Sequence, residues 1–191
     1  IRYDESGFIN YYNKNYADAV PVLMESVDFG DGYAAVLIGK FHETRRQFEL
    51  ASKWHLKAAK LGEFRAIVWF LQTAIRRPNS AQNHVVSRRC APVLRILNRA
   101  VAAGDAMAAV AVGGYYQDGS CVKRDRTMAA RYYLLASQMD PAMSSIIGVI
   151  KRSLPEGIGN DLRPPPLVTN DKPTKQQVLK EFLSIAPSLT K

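Results

Sequence analysis

One short pattern recurs along the chain and constrains its fold more than any other feature of the sequence. In each copy a helix-forming stretch runs up to a glycine, and a second helix-forming stretch opens on alanine soon afterwards; the copies are residues 26–34, 51–66 and 100–108. Glycine suits a helix end because it takes the left-handed backbone conformation required there. Repetition of such a unit predicts an all-α fold in which helix pairs stack side by side as an α-solenoid.

The glycines Gly30, Gly62 and Gly104 set the register of about four helix pairs. The first helices of the pairs are predicted at residues 32–43, 63–75, 105–117 and 141–152. The second helices are predicted at residues 16–29, 48–61, 89–103 and 125–139, and a degenerate opening helix at residues 7–15. Asp125 is the predicted N-cap of the last second helix, because its side chain can accept a hydrogen bond from a free backbone N–H.

The pattern divides the chain into three parts. These are an α-solenoid at residues 1–152, a linker rich in proline and glycine at 153–173, and a C-terminal helix at 174–191. Within the last part, Val178, Phe182 and Ile185 are spaced to share one face of a helix. An apolar face must be covered, so this helix either caps the open end of the array or docks onto a partner. The cap is favoured, because an uncapped terminal repeat exposes its core.

The chain carries a formal net charge of +9. Such a charge indicates either an acidic partner, which could be a protein, a nucleic acid or an anionic membrane surface, or a contribution to solubility alone. Many of the basic residues fall in or beside predicted loops between helices, which in a solenoid would stack along one edge. We call them the basic ridge; its members are Arg45, Arg46, Arg77, Arg88, Arg89, Lys123, Arg124 and Arg126.

The two cysteines, Cys90 and Cys121, lie near the starts of successive predicted second helices. Neighbouring helices pack about 10 Å apart, whereas a disulfide needs Cα atoms within about 7 Å of each other. This spacing argues against a disulfide and leaves the pairing open. The cellular compartment, which a disulfide would indicate, is therefore left open as well.

The sequence contains none of the short motifs that carry nucleophilic, phosphate-binding or metal-dependent catalysis. Its histidines, His42, His55 and His84, are not accompanied by the tight cluster of thiolates or carboxylates that a metal site needs. We therefore expect no enzymatic activity, no catalytic residues, no cofactor and no metal site.

Two fragments carry a resemblance to a known family. They are Ala51-x2-Trp54-His55-x2-Ala58-Ala59-x2-Gly62-x3-Ala66 and Ala108-x3-Val112-Gly113-x2-Tyr116-x2-Gly119-x2-Val122-x2-Asp125. Over residues 16–150 the chain resembles the Sel1-like repeat proteins, relatives of the tetratricopeptide repeat proteins, although His42 and Arg45 replace the family's tyrosine and glycine in the first unit. His55 also replaces a tyrosine of the family, which implies a place at the edge of the core. The resemblance implies a bacterial protein-interaction module: an envelope adaptor, a secreted factor or an immunity protein that neutralises a secreted toxin. A periplasmic or secreted location is favoured over a cytoplasmic one.

The residue types at the helix contacts agree with such a fold. Small residues, among them Gly39 and Gly113, are predicted to let paired helices approach closely. The aromatic residues Trp54, Tyr116 and Tyr132 are predicted to fill the space between helices, since each can bury a large area.

The resemblance also implies where a partner would bind, because in tetratricopeptide-like solenoids the first helices of the pairs line a concave groove. The predicted groove residues are Tyr33, Lys40, Arg65, Trp69, Gln72, Arg76, Met107 and Gln117. Trp69 is the expected central anchor, because tryptophan, tyrosine and arginine dominate protein interfaces; the alternative is that it completes its helix pair. Arg65 and Lys40 are expected to attract acidic side chains. The predicted partner is therefore a protein with an acidic surface or segment, and the alternative is a nucleic acid or anionic surface bound along the basic ridge.

Overall fold

The computed structural model describes residues 5–75, 83–143, 145, 162–166 and 171–189, and for residues 83–88 it describes the backbone but not the side chains. Within these ranges the chain is helical and contains no β-strand. The predicted all-α fold class is therefore confirmed. None of the described helices combines the length and the apolarity needed to span a bilayer.

The described helices follow the predicted order. They are α1 (Ser6–Tyr12), α2 (Tyr16–Asp28), α3 (Gly32–Thr44), α4 (Phe48–Lys60), α5 (Ala66–Ile75), α6 (Asn83–Ala102), α7 (Ala106–Asp118), α8 (Arg126–Met139) and α9 (Lys175–Leu189). Helix α6 begins at Asn83, six residues before the predicted start. Of the helix predicted at residues 141–152, the described part is a 3-10 turn at Pro141–Met143 and the single residue 145. Most of the predicted linker lies outside the described residues.

Two compact units make up the chain. Unit 1 comprises residues 1–81 and 182–191, and unit 2 comprises residues 82–181. The boundary falls inside α9, so its first half belongs to unit 2 and its second half to unit 1.

Glycine ends the helices where the repeat predicted it. Gly30, Gly62 and Gly104 follow α2, α4 and α6 with φ angles of 95°, 90° and 85°, all in the left-handed region. A side chain is strained in this conformation, so glycine is the natural residue for it. The prediction that a glycine ends the helix is confirmed at all three positions.

Aspartate begins three of the helices. The predicted N-cap Asp125 accepts a hydrogen bond from the backbone N–H three residues ahead at 2.9 Å, which confirms that prediction. Asp31 and Asp105, which the sequence analysis did not single out, do the same for α3 and α7 at 3.0 and 2.7 Å. Each follows a helix-ending glycine, so the pair Gly-Asp closes one helix and opens the next.

In unit 1, helices α3 and α4 form an antiparallel hairpin. The start of α3 at Gly32 lies beside Ala58 near the end of α4, and Gly39 further along α3 lies against His55. His55 is completely buried, and the expectation that it sits at the edge of the core is wrong. The ring reaches the centre of the hairpin because Gly39 has no side chain to keep it out.

The cores of the two units are built from the apolar faces of these helices. In unit 1 the largest fully buried side chains include Leu23, Leu37, Ile38, Ile67, Phe70, Leu71 and Phe182. Phe182 from α9 packs edge-to-face on Phe70, with ring centroids 5.1 Å apart. In unit 2 the fully buried residues include Val93, Ile96, Leu97, Val112 and Val178. The aromatic residues predicted as core differ: Tyr132 is buried, while Trp54 and Tyr116 are half-buried.

Cys90 and Cys121 form a disulfide within unit 2, with Cα atoms 5.2 Å apart. The expectation against this bridge is wrong because the distance between packed helices does not apply to Cys121. Cys121 instead lies in the loop between α7 and α8, and only Cys90 lies on a helix, α6. A loop is not held at the distance that separates two helix axes, so Cys121 can reach α6.

Candidate protein-binding surface

Trp69, the predicted anchor on α5, is half-buried and already has partners within unit 1. The ammonium group of Lys40 lies 4.1 Å from the centroid of the Trp69 ring, which is cation–π distance. The imidazole of His55 stacks on Trp69 with ring centroids 6.4 Å apart. Trp69 is thus part of a cluster within the unit, and it offers a partner only the part of its ring that stays exposed.

The same cluster continues inward to a buried polar pair. Nε2 of His55 donates to Oε1 of Glu43 at 3.0 Å, while Nδ1 of His55 has no hydrogen-bond partner among the described residues. Burial lowers the pKa of Lys40 below its ordinary value, and the nearby Glu43 carboxylate opposes that shift. The Glu43 carboxylate therefore stabilises both the buried His55 and the half-buried Lys40. Lys40 and Glu43 both lie on α3.

A group of exposed apolar side chains lies on α1 and α3. The rings of Phe8 and Tyr33 are parallel, with an interplanar angle of 4° and centroids 6.0 Å apart. The hydroxyl groups of Tyr12 and Tyr33 share a hydrogen bond of 2.6 Å. Tyr12, Ile9 and Tyr33 have 62%, 57% and 40% of their surface exposed, although all three are large hydrophobic residues. We call Phe8, Ile9, Tyr12 and Tyr33 the ring surface.

An open pocket adjoins the ring surface. It has a volume of about 490 Å³ and is lined by Glu5, Phe8, Ile9, Tyr12 and Asn13. This volume falls in the range that holds a drug-sized molecule or a few side chains. The pocket walls are mostly apolar, so it suits an apolar side chain better than a charged one.

Further rings continue from the ring surface along the unit. Tyr11 lies edge-on to Tyr12 and to Tyr16, with centroids 5.8 and 5.3 Å apart. Tyr16 in turn lies 5.3 Å from Phe41, over which the guanidinium of Arg45 sits at 4.5 Å. These half-buried rings support the exposed ones, because each is held by its neighbours.

The hydroxyls of Tyr11 and Tyr33 stay protonated at neutral pH. Burial raises the pKa of Tyr11 to about 12, with the neighbouring tyrosines adding to the effect. Burial and the hydrogen bond with Tyr12 raise the pKa of Tyr33 to about 12, while the charge of Arg65 opposes the rise. Arg65 is exposed, and the charge of Glu63 acts on the Tyr33 pKa in the opposite direction.

The predicted groove residues are divided between the two units. Tyr33, Lys40, Arg65, Trp69 and Gln72 belong to unit 1, where Gln72 is half-buried. Met107 and Gln117 belong to unit 2; Met107 is half-buried, and Gln117 accepts a hydrogen bond from the Tyr133 hydroxyl at 3.0 Å. Arg76 lies outside the described residues.

The basic ridge residues are divided in the same way. Arg45 and Arg46 are exposed in the turn between α3 and α4, and Lys123, Arg124 and Arg126 are exposed in or beside the loop between α7 and α8. Arg88 and Arg89 lie inside α6, because this helix begins at Asn83, and the side chain of Arg88 is not described. Arg77 lies outside the described residues.

Several residues of the ring surface and its support were not predicted, namely Phe8, Ile9, Tyr11, Tyr12, Tyr16 and Phe41. One signal in the sequence could have found them. Half of the chain's seven phenylalanines and nine tyrosines fall within residues 1–41, of which residues 7–15 were predicted only as a degenerate opening helix. Such a concentration of rings exceeds what the short helices of this stretch can bury.

Across the part of the chain that the structure describes, no three His, Cys, Asp or Glu side chains come together as a metal site would require. Comparison of the chain with protein-family models, with curated proteins and with solved structures finds no match. The candidate function therefore depends on the residues of the surface themselves.

Proposed function

We propose that this chain is a non-enzymatic protein-binding module whose ring surface in unit 1 contacts a partner protein. The observation that carries the proposal is the exposure of Ile9, Tyr12 and Tyr33 together beside an open apolar pocket. Single exposed apolar residues are common on monomers, but a contiguous group of this kind marks an interaction site.

The chemistry of the ring surface fits a protein partner. Tyrosine supplies a large apolar contact at low entropic cost and keeps a hydroxyl for hydrogen bonding. The hydroxyls of Tyr12 and Tyr33 are fixed by their mutual hydrogen bond, and the Phe8 ring supports Tyr33 by stacking. Such preorganised aromatic residues lose little freedom on binding, which favours affinity.

The charges near the ring surface indicate an acidic partner. The charge of Arg65 acts on Tyr33, Lys40 lies over Trp69, and the whole chain carries a net charge of +9. Cations at the rim of an interface accelerate association with an acidic surface. The fitting segment presents an apolar side chain to the pocket and a carboxylate to Arg65.

The Sel1-like resemblance supports stacked helix pairs and a bacterial adaptor or inhibitor, including an immunity protein against a secreted toxin. The Cys90–Cys121 disulfide supports a periplasmic or secreted location, because disulfides persist in oxidising compartments and are rare in the cytosol. An inhibitor of a secreted toxin would meet its target in such a compartment.

Site-specific photocrosslinking in the native host tests the proposal. A photoreactive phenylalanine analogue replaces Tyr33 in one variant and Phe29 in the other; Phe29 lies outside the ring surface and is 78% exposed. The proposal predicts one dominant protein crosslinked from position 33 and absent from position 29. Equal crosslinking from both positions would show that the ring surface has no special role.

A further inference from the structure

Three cations beside one another in unit 2 make no ion pair among the described residues. Lys123 and Arg124 lie in the loop between α7 and α8, Arg126 is the first residue of α8, and all three are exposed. Like charges held this close repel one another, which costs stability in the absence of a ligand. A group of anions placed against them would relieve that repulsion.

The loop that carries these cations is held at several points. Gly119 ends α7 in the left-handed conformation, with φ of 74°, and Arg124 packs against it. The backbone N–H of Asp125 donates to the carbonyl of Tyr116 at 2.9 Å, and its carboxylate caps α8. The backbone that carries the cations therefore needs little ordering when a ligand binds, and less affinity is lost to entropy.

The disulfide fixes this loop to a neighbouring helix. It joins Cys121 in the loop to Cys90 in α6, with Cα atoms 5.2 Å apart. The two cysteines are 31 residues apart in sequence, so the bridge is a long-range restraint on the loop that carries the cations. We call Lys123, Arg124 and Arg126 the loop surface.

We propose that the Cys90–Cys121 disulfide holds the loop surface in place as a docking site for an acidic segment of a partner protein, and that reduction of the disulfide weakens this docking. The loop surface lies wholly in unit 2, and the proposal does not depend on the ring surface of unit 1. Either surface can fail its test while the other stands.

The neighbouring side chains favour carboxylates over a nucleic acid as the bound anion. Single-stranded nucleic acids are bound by basic grooves in which free aromatic rings stack on the bases. Here Tyr116 and Tyr132 stack on each other, with centroids 5.7 Å apart, and the hydroxyl of Tyr133 donates to Gln117. Guanidinium groups match carboxylates in geometry and bind them through paired hydrogen bonds.

The redox step is a thiol–disulfide exchange with a dithiol reductant. Cys121 is partly exposed while Cys90 is 7% exposed, so a reductant thiolate attacks Sγ of Cys121. The S–S bond breaks, a mixed disulfide forms, and the thiolate of Cys90 leaves and takes a proton. The second thiolate of the reductant displaces Sγ of Cys121, which also takes a proton. Two electrons pass to the cysteine pair, and the reductant is left as a disulfide.

Binding of a fluorescent poly-L-glutamate peptide, followed by fluorescence anisotropy at fixed ionic strength, tests this proposal. Removing three charges with Lys123→Gln/Arg124→Gln/Arg126→Gln should weaken binding about tenfold. The matched control removes three exposed charges of unit 1 with Arg46→Gln/Lys53→Gln/Lys60→Gln, and should change binding less than about twofold. Equal losses in the two variants would mean that net charge alone binds the peptide, which would overturn the docking site.

Treatment of the wild type with dithiothreitol, and the variant Cys90→Ala/Cys121→Ala, should each weaken peptide binding about threefold or more while helical circular dichroism is retained. Unchanged affinity would overturn the redox dependence. Loss of the helical signal would overturn it as well, because the bridge would then hold the fold rather than the docking site. Tighter binding of a single-stranded DNA oligonucleotide of equal charge than of the peptide would mean that the loop surface binds a nucleic acid. This result would overturn the proposed acidic protein segment.

Discussion

The imidazole of His55 fills the space that a side chain at Gly39 would occupy. A Cβ at Gly39 would lie closer than 3.0 Å to atoms of that ring, a separation that real Cβ atoms essentially never show. The α3–α4 hairpin therefore depends on having no side chain at position 39. His55 in turn stacks on Trp69 and donates a hydrogen bond to Glu43. The contact between Gly39 and His55 therefore supports the cluster around Trp69.

Replacing Gly39 with alanine should destabilise the protein by about 1–3 kcal/mol, because overpacking forces the buried ring or the backbone to move. Urea unfolding measures the loss. In the double variant Gly39→Ala/His55→Ala the added methyl group has room, so the combined loss should be smaller than the sum of the single losses. Strict additivity would contradict the contact.

Replacing Glu43 with alanine should cost about 1–3 kcal/mol, because both ring nitrogens of the buried His55 would then lack a partner. The control Glu43→Gln keeps an oxygen that can accept from Nε2 and should cost less. Thermal unfolding at neutral pH compares the two variants. Equal losses would indicate that the carboxylate acts through its charge and not through the hydrogen bond.

Two adjacent glycines in α7 should respond in opposite directions to alanine. A Cβ at Gly113 would lie 3.0 Å from the Tyr133 ring and 3.2 Å from the Ala129 carbonyl, whereas at Gly114 its nearest neighbour would be the Tyr133 hydroxyl at 3.8 Å. Gly113→Ala should destabilise the protein by about 1–3 kcal/mol. Gly114→Ala should stabilise it by about 0.5–1 kcal/mol, because alanine favours the helix. Urea unfolding of the two variants decides the matter, and stabilisation by both would contradict the close packing of α7 on α8.

The tyrosines predict loss of stability at high pH. Burial is the main cause that raises the pKa values of Tyr11, Tyr33 and Tyr132 to about 12 from an ordinary value of 10. Above pH 10 the unfolded chain releases these protons first, so the folded state binds more protons and stability falls as pH rises. This contribution is fully present below pH 10 and is lost as pH rises through about 12. Titration followed by the ultraviolet absorbance of tyrosinate should show that some tyrosines of the folded protein ionise only well above pH 10. A single transition near pH 10 would contradict the raised pKa values.

The sequence predicted the local features of this chain better than its surface. The helix ends at Gly30, Gly62 and Gly104 were predictable because backbone conformation at those points depends on the residue itself. The ring surface depends instead on Tyr33 in α3 meeting Tyr12 in α1, which are 21 residues apart. No periodic pattern within a single helix contains that contact, so it was not predicted.

The disulfide and the role of His55 were not predicted for a similar reason. Cys121 approaches Cys90 through the path of a loop, which the spacing of helices does not describe. His55 was placed at the core edge because it replaces the family's tyrosine, and the hydrogen bond to Glu43 that makes its burial tolerable joins two different helices. Both cases depend on tertiary contacts between residues distant in sequence.

The affinity of the crosslinked partner for matched variants of unit 1 tests the central claim most directly. Isothermal titration calorimetry of the purified partner with Tyr33→Ala, Arg65→Glu and the control Phe29→Ala supplies the comparison. The account predicts that the first two variants each weaken binding about tenfold or more, while Phe29→Ala leaves it within about twofold of the wild type. Wild-type affinity in Tyr33→Ala and Arg65→Glu, with the helical fold intact, would contradict the claim that the ring surface binds the partner.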